Sequence, residues 1–295
     1  MTVYRLIQAE KATWSVRSMC DVLGVSRSAY YEWARGVSHQ KDVADAVLAV
    51  HIKAIHRRSR RTYGSPRVHA ELVAEGHRVG VNRVARLMRD LGIAGVPKRR
   101  FKGTTTLSDH DEPVADNLLG RDFSAARPNE AWVGDITYLS TAAGWVYLAV
   151  LIDLFSRKVV GWALASHMRT ELCLAALHQA VATRQPAPGL VHHTDRGSQY
   201  TSRDYQAALA RRGITPSMSR KGNCWDNAVS ESLFGTLEQE LVRENGGEWA
   251  DLDQARAAIS DYIHGFYNTS RRHSTLGYAS PVDFEVHHRA ARAVA

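Results

Sequence analysis

Eight consecutive apolar residues, Trp145-Val146-Tyr147-Leu148-Ala149-Val150-Leu151-Ile152, set the terms on which this chain can fold. A run of this length without alternation suits a central strand buried on both faces. Its neighbours read as partners for such a strand. Residues 132–139 form one strand, 153–158 a turn, and 159–164 a strand that pairs back. An amphipathic helix over 171–183 leads to a fourth strand, 190–195. Ser202 caps a helix that ends at Arg212-Gly213, and 214–218 is a short strand kept to the sheet edge by Pro216. Strands in succession followed by alternating helix and strand predict an α/β fold, a mixed sheet with helices on its faces.

The first third is different. Net charge is +8, but residues 1–102 hold 20 Lys/Arg against 8 Asp/Glu, whereas 103–295 hold 18 against 22. A basic excess confined to one end points to a polyanionic partner, most simply nucleic acid. Residues 15–35 read as a helix-turn-helix. Ser15 caps a helix carrying Val16, Met19, Cys20 and Leu23, Gly24 stops it, and Ser26 caps a second helix over 27–34. Arg27, Ser28, Tyr30 and Tyr31 stand near the start of that second helix, where a recognition helix meets DNA. In residues 42–95 a stripe of Val43, Ala46, Val47, Val50 and Ile55 is followed by the basic stretch Arg57, Arg58, Arg60, Arg61, then a helix starting at Ser65-Pro66 and ended by Gly76. Asn82 caps a last helix with Val84, Leu87, Met88 and Leu91 on one face. These segments give an all-α region of two helix-turn-helix modules, 1–50 and 51–95.

Residues 96–125 read as a linker, basic at Lys98, Arg99 and Arg100, then polar and acidic without periodicity, extended or ordered only on binding. Cys20, Cys173 and Cys224 form no CxxC pair, which fits a reducing cytoplasm and argues against a cysteine zinc finger. No run of about 18 apolar residues exists to span a membrane, and the N-terminus lacks the apolar stretch of a signal peptide.

Three carboxylates stand out from this frame. Asp135 lies mid-strand, where an acid is costly unless paired, solvated or bound to metal. Asp195 closes the fourth strand. Glu231 lies on a helix whose ridge is Val229, Leu233, Leu237 and Leu241, and shares the opposite face with Asn227 and Gly235. Two acids on strands and one on a helix are what a site for two divalent ions needs, because magnesium takes hard oxygen ligands and keeps several waters. Asp153 reads as turn chemistry and Asp226 as a helix cap. Glu238, two turns beyond Glu231 and about 10.5 Å along the axis, is too far to share the cluster.

The motifs Trp132-Val133-Gly134-Asp135-Ile136-Thr137-Tyr138, His193-Thr194-Asp195-Arg196-Gly197-Ser198-Gln199-Tyr200, Asp226-Asn227-Ala228 with Glu231-Ser232, and Tyr267-Asn268 with Arg271-Arg272-His273-Ser274 resemble the insertion-sequence-three family of bacterial transposases, in its OrfB part. The 35 residues between Asp195 and Glu231 match that family's spacing. The resemblance implies a ribonuclease-H-like catalytic core over 126–288 with a C-terminal helical segment. It implies Asp135, Asp195 and Glu231 as catalytic metal ligands for two Mg2+ ions, with Mn2+ able to substitute. It also implies cleavage and joining of DNA at element ends. The expected partners are double-stranded DNA (terminal repeats and target), further copies of the chain on that DNA, and an upstream OrfA product or fusion. The expected place is the cytoplasm, on the nucleoid. Arg196, Lys221, Asn268, Arg271, Arg272 and His273 are candidate DNA contacts, and His193 a candidate support for the carboxylates. In one departure the family usually carries Lys or Arg seven residues after the catalytic Glu, where this chain has Glu238; Lys221, Arg243 or Arg271 are candidate substitutes. The rival readings are a DNA-binding regulator with an inactive core and a ribonuclease H acting on hybrids. The paired helix-turn-helix motifs and the basic first third weigh against the second.

Overall fold

The computed structural model describes residues 3–96, 114–220, 224–242 and 249–294. They fall into two units, Met1–Gly95 and Val96–Ala295.

The first unit is all helical. α1 (Val3–Glu10), α2 (Val16–Val22) and α3 (Arg27–Ala34) close on a small core of Ile7, Cys20 and Tyr30, flanked by Tyr4, Val16, Met19, Val25 and Trp33. Ser15 caps α2 by accepting from Ser18 N–H at 3.1 Å. Ser26 stands at the α3 cap but makes no side-chain cap bond. α4 (Val37–Arg58) is a single helix running across position 50/51. It packs on α5 (Ser65–Ala74) and α6 (Val81–Asp90), burying Leu48, Ile52 and Ile55 against Val68, Leu72, Val84, Leu87 and Met88. The expected stripe is corrected here: Val43, Val47 and Val50 are 49%, 50% and 67% exposed, and only Ile55 of the group's valines and isoleucine is buried. Both stripes satisfy helical periodicity, and the α5–α6 pair selected the one carrying the larger Leu and Ile side chains. Asp45 fixes α6 to α4, accepting from Arg83 Nε at 2.7 Å and Arg86 Nη2 at 2.6 Å. The N-cap of α6 is Gly80, and Asn82 lies inside the first turn instead of capping it.

The second unit is built on a five-stranded sheet of order β3-β2-β1-β4-β5. β1 (Ala131–Thr141), β2 (Gly144–Asp153) and β3 (Val159–Ala165) form an antiparallel meander. α7 (Thr170–Arg184) crosses over to β4 (Val191–Thr194), parallel to β1. The short α8 (Ser198–Thr201) and α9 (Arg203–Ala210) lead to the edge strand β5 (Thr215–Met218). This is the mixed sheet flanked by helices that the residue pattern predicted, in the ribonuclease-H-like form that the family resemblance implied. One sheet face, with Trp132, Ala149 and Leu151, packs on Leu172, Cys173, Ala176, Leu177, Tyr205 and Leu209 of α7 and α9. Burial pushes the Cys173 thiol up to about 12.

The other face takes α10 (Ala228–Leu237), which contacts β1 and sets Val229 against Ala131, Val133 and Leu154. α10 continues into a π-helical turn, Glu238–Val242. After α11 (Leu252–Ser260) comes a second, Asp261–Tyr267, and then α12 (Pro281–Val294). The described end of the expected linker packs on the core: Leu119, Phe123 and Ala125 join the Ala131–Val133–Leu154 cluster, and Leu118 N–H donates to Ser217 Oγ at 2.9 Å.

Candidate active site

Strand parity brings the two aspartates together. Val133 and His193 are register partners on the parallel strands β1 and β4. Two residues further along β1 lies Asp135, on the face that alternation gives to Val133, and two residues past His193, just beyond the end of β4, lies Asp195. α10 covers that face and carries Glu231 in its first turn, half-buried. Asp195 and Glu231 both lie close enough to Asp135 to act on it. Burial, then the charge of Asp195, then that of Glu231 lift the Asp135 carboxyl well above the usual range, against the opposing pull of the Ile136 N–H. Burial also lifts Glu231.

Neutral donors hold Asp135, and a backbone N–H is among the partners of Asp195. Asp135 Oδ2 accepts from Asn227 Nδ2 at 2.7 Å, and its Oδ1 from the Ile136 N–H at 2.8 Å. Asp195 Oδ1 accepts from the Gly197 N–H at 3.0 Å. Among the described residues no Lys or Arg pairs with Asp135 or Glu231. A donor set made only of carboxylate oxygens, mutually repelling and without a protein cation on Asp135 or Glu231, fits a hard divalent ion.

A buried scaffold sets these groups. Asp226 is not the cap of α10; Asn227 occupies that position. Asp226 is fully buried and accepts from Arg220 Nε and Nη2 at 2.9 Å each, Arg121 Nε at 3.0 Å and Asn117 Nδ2 at 3.0 Å. The bond to Arg220 leads in holding its carboxyl far below the usual range. This network fixes the turn from which Asn227 reaches Asp135. His193 is buried between Asp226 O, 3.0 Å from Nε2, and Ser217 Oγ, 2.8 Å from Nδ1. A carbonyl can only accept, so Nε2 carries the proton and Ser217 donates to Nδ1. Burial keeps the ring neutral by lowering its pKa. Both nitrogens are used, so His193 braces the site from behind. Beneath β1, Gly134 leaves room for His192: a Cβ there would stand 2.7 Å from His192 Cε1. His192 Nε2 meets the Tyr205 hydroxyl at 2.8 Å, and burial lowers its pKa to about 3. The roles of Asn227, Asp226 and His192 were not foreseen in the sequence; their partners are up to 109 residues away along the chain.

The other expected contacts divide. Arg27 and Ser28 are exposed on α3 and line an open groove with Tyr31, Glu32 and Arg35. Tyr30 is corrected: it is 2% exposed, and its hydroxyl donates to Gln8 Oε1 at 2.6 Å, so it is core and not a DNA contact. Arg57 and Arg61 are exposed, while Arg58 bonds to Glu71 and Glu75. Arg60 and Arg61 take left-handed backbone, φ 54° and 57°. Arg196 Nε donates to Ser219 O at 2.7 Å. Lys98, Arg99, Arg100, Lys221 and Arg243 lie outside the described residues.

Three of the C-terminal group are corrected as well. Asn268 is buried and exchanges two 2.9 Å bonds with the Val159 backbone, pinning its helix to β3. Arg271 is buried and grips Glu240 with two 2.7 Å bonds. His273 is buried against the Tyr267 ring at 4.9 Å, and Arg272 Nη1 donates to Tyr278 O at 2.9 Å. Asn268, Arg271 and His273 are buried and hold the fold together, while Arg272 is half-buried. Arg271 is therefore no substitute for a basic residue at position 238, where Glu238 is exposed.

Comparison with protein families agrees with this architecture. Models described as "Integrase core domain" match residues 125–224 and 212–281, and one described as "HTH-like domain" matches 42–101. The chain is 43% identical over 274 residues to the insertion element IS600 uncharacterized 31 kDa protein of Shigella sonnei, covering 92% of this chain and 100% of that one. It is 41% identical over 285 residues to transposase InsF for insertion sequence IS3A of Escherichia coli K12, covering 96% and 98%. Among solved structures, the HTLV-2 integrase catalytic core domain in complex with magnesium matches with 18% identity and a TM-score of 0.42, over 55% of this chain and 99% of that one.

Proposed function

The chain belongs to the insertion-sequence-three family of transposases, and from that premise we propose that it binds the ends of an insertion element, cleaves DNA at their 3′ ends and joins them to target DNA. What supports this most is one arrangement: Asp135 on β1 and Asp195 one residue past the end of the neighbouring parallel β4, with Glu231 brought over the sheet by α10 and the charges of Asp195 and Glu231 both acting on Asp135. These three side chains would hold two magnesium ions, with manganese an adequate replacement because it too accepts hard oxygen ligands. When bound, the ions supply activation of the attacking hydroxyl and stabilisation of the leaving 3′-oxygen.

The chain's own contribution is positioning. Asn227 and the Ile136 N–H fix both oxygens of Asp135, and the Gly197 N–H fixes Asp195. Glu231 sits near the positive end of its helix, which favours the charged form that burial opposes. No side-chain nucleophile is required. The helical modules 1–50 and 51–95, sharing α4, grip double-stranded DNA, and 96–125 joins them to the catalytic core over 126–288. No described helix is long and apolar enough to cross a membrane. The protein works on nucleoid DNA in the cytoplasm, as several copies assembled on element ends, with an OrfA product as partner or fusion.

The test uses oligonucleotides carrying the flanking element ends, with magnesium. Asp195→Asn should abolish 3′ nicking and strand joining while gel-shift binding of the ends persists. Joining by the variant would remove the carboxylate site from the reaction, whereas a wild-type chain that binds ends and never cuts them would be a DNA-binding regulator.

A further inference from the structure

We propose that the helical unit carries a zinc site of its own, made by His51, Glu75 and His77. One ligand atom from each of the three lies within 4.8 Å of the others. His51 comes from the middle of α4; Glu75 is the C-cap of α5, and His77 follows two residues later. Gly76 makes this placement possible. Its φ of +87° turns the chain in the left-handed region, and the His77 N–H then closes on Leu72 O at 2.9 Å. The His77 backbone is thus locked beside α4.

The spacing suits a cation better than direct contact between the side chains. His51 Nδ1 and Glu75 Oε2 stand 3.7 Å apart, too far for a hydrogen bond. The two imidazoles meet edge to face with centroids 4.3 Å apart. Ligand atoms about 2.0–2.1 Å from a tetrahedral zinc are separated by roughly 3.3–3.4 Å, so closing each gap by at most about 1.5 Å would seat the ion. Glu75 is prepared for one-oxygen ligation: its Oε1 is taken by Arg58, which also donates to Glu71 at 3.3 Å, leaving Oε2 towards the histidines. Ligating carboxylates are commonly held by such outer partners. The His51 side chain is 42% exposed, so a water can complete the tetrahedron.

Two imidazole nitrogens and one carboxylate oxygen select zinc, or a neighbouring late first-row ion, over magnesium. This separates the site chemically from the all-carboxylate trio. Bound zinc would brace α4 to the end of α5, stabilising the helical unit by mass action.

The full chain, stripped of metal and held in excess magnesium, is titrated with zinc chloride by calorimetry, and its thermal midpoint is followed. One zinc per chain and a raised midpoint are expected. His51→Gln and His77→Gln should each weaken binding at least about tenfold, with unchanged far-ultraviolet dichroism. Asp195→Asn should bind zinc as the wild type does, and cobalt in its place should give the strong visible bands of a tetrahedral nitrogen-ligated ion. The proposal is overturned if the wild type takes up no zinc, if both histidine variants bind it unchanged, or if Asp195→Asn loses it.

Discussion

Asn227 spans 92 positions of sequence to reach one oxygen of Asp135. Its amide can donate without adding charge, so it fixes the carboxylate while leaving its negative charge for a ligand. Asn227→Ala should lower strand joining about 10–100-fold, the usual cost of losing a group that orients a metal ligand, with end binding unchanged in a gel shift. Asp135 makes the site pH-dependent. Its folded pKa is raised, chiefly by burial and then by the charges of Asp195 and Glu231. Between the unfolded value near about 3.9 and that raised value, the folded chain holds more protons than the unfolded one. The contribution of Asp135 to stability in that window falls as pH rises, whereas the buried, neutral His192 and His193 act in the opposite sense. In calorimetry without divalent ions, the midpoint of Asp135→Asn should therefore exceed that of the wild type by a margin that grows as pH climbs above about 4, by about 2–4 °C for each kcal/mol recovered.

Helices and strands report differently on how much the sequence discloses. The strands were legible because the continuous run 145–152 and its bounded neighbours leave few pairings, and parity then fixes which acids share a face. α4 was not, because Val43-Val47-Val50 and Leu48-Ile52-Ile55 are both valid helical stripes and only the partner helices choose between them. Tyr30 was misplaced for a related reason: a helix of eight residues gives its inward and outward faces nearly equal claim to an aromatic. Further along, the Tyr-Asn and Arg-Arg-His motif looks like a cationic grip on DNA until the π-helical turns are seen. Those turns place Glu240 where Arg271 makes two bonds to it and the Tyr262 hydroxyl donates at 2.8 Å. Nothing local in the sequence marks an i→i+5 turn. Arg271→Ala strands a buried carboxylate, so denaturant unfolding should show a loss of about 3–5 kcal/mol.

For the molecule as a whole, the charge split is the strongest guide: in sequence, the basic excess of residues 1–102 is separate from the three carboxylates proposed to hold the ions. Within that excess the arginines are unequal. Arg61 is exposed, whereas Arg58 is engaged by Glu71 and Glu75. Arg61→Ala should reduce the salt dependence of DNA binding by about 0.9 in log–log slope for one lost phosphate contact, and Arg58→Ala by less, as read by fluorescence anisotropy across salt concentrations. Cys173 belongs to this scale too. Packed between α7 and the sheet, with its thiol held protonated to about pH 12, it offers an alkylating reagent no thiolate while the layers stay closed. Modification of that one position can proceed only through moments when the helix lifts off, which makes the sulfur a built-in clock for how often the catalytic half of the protein breathes.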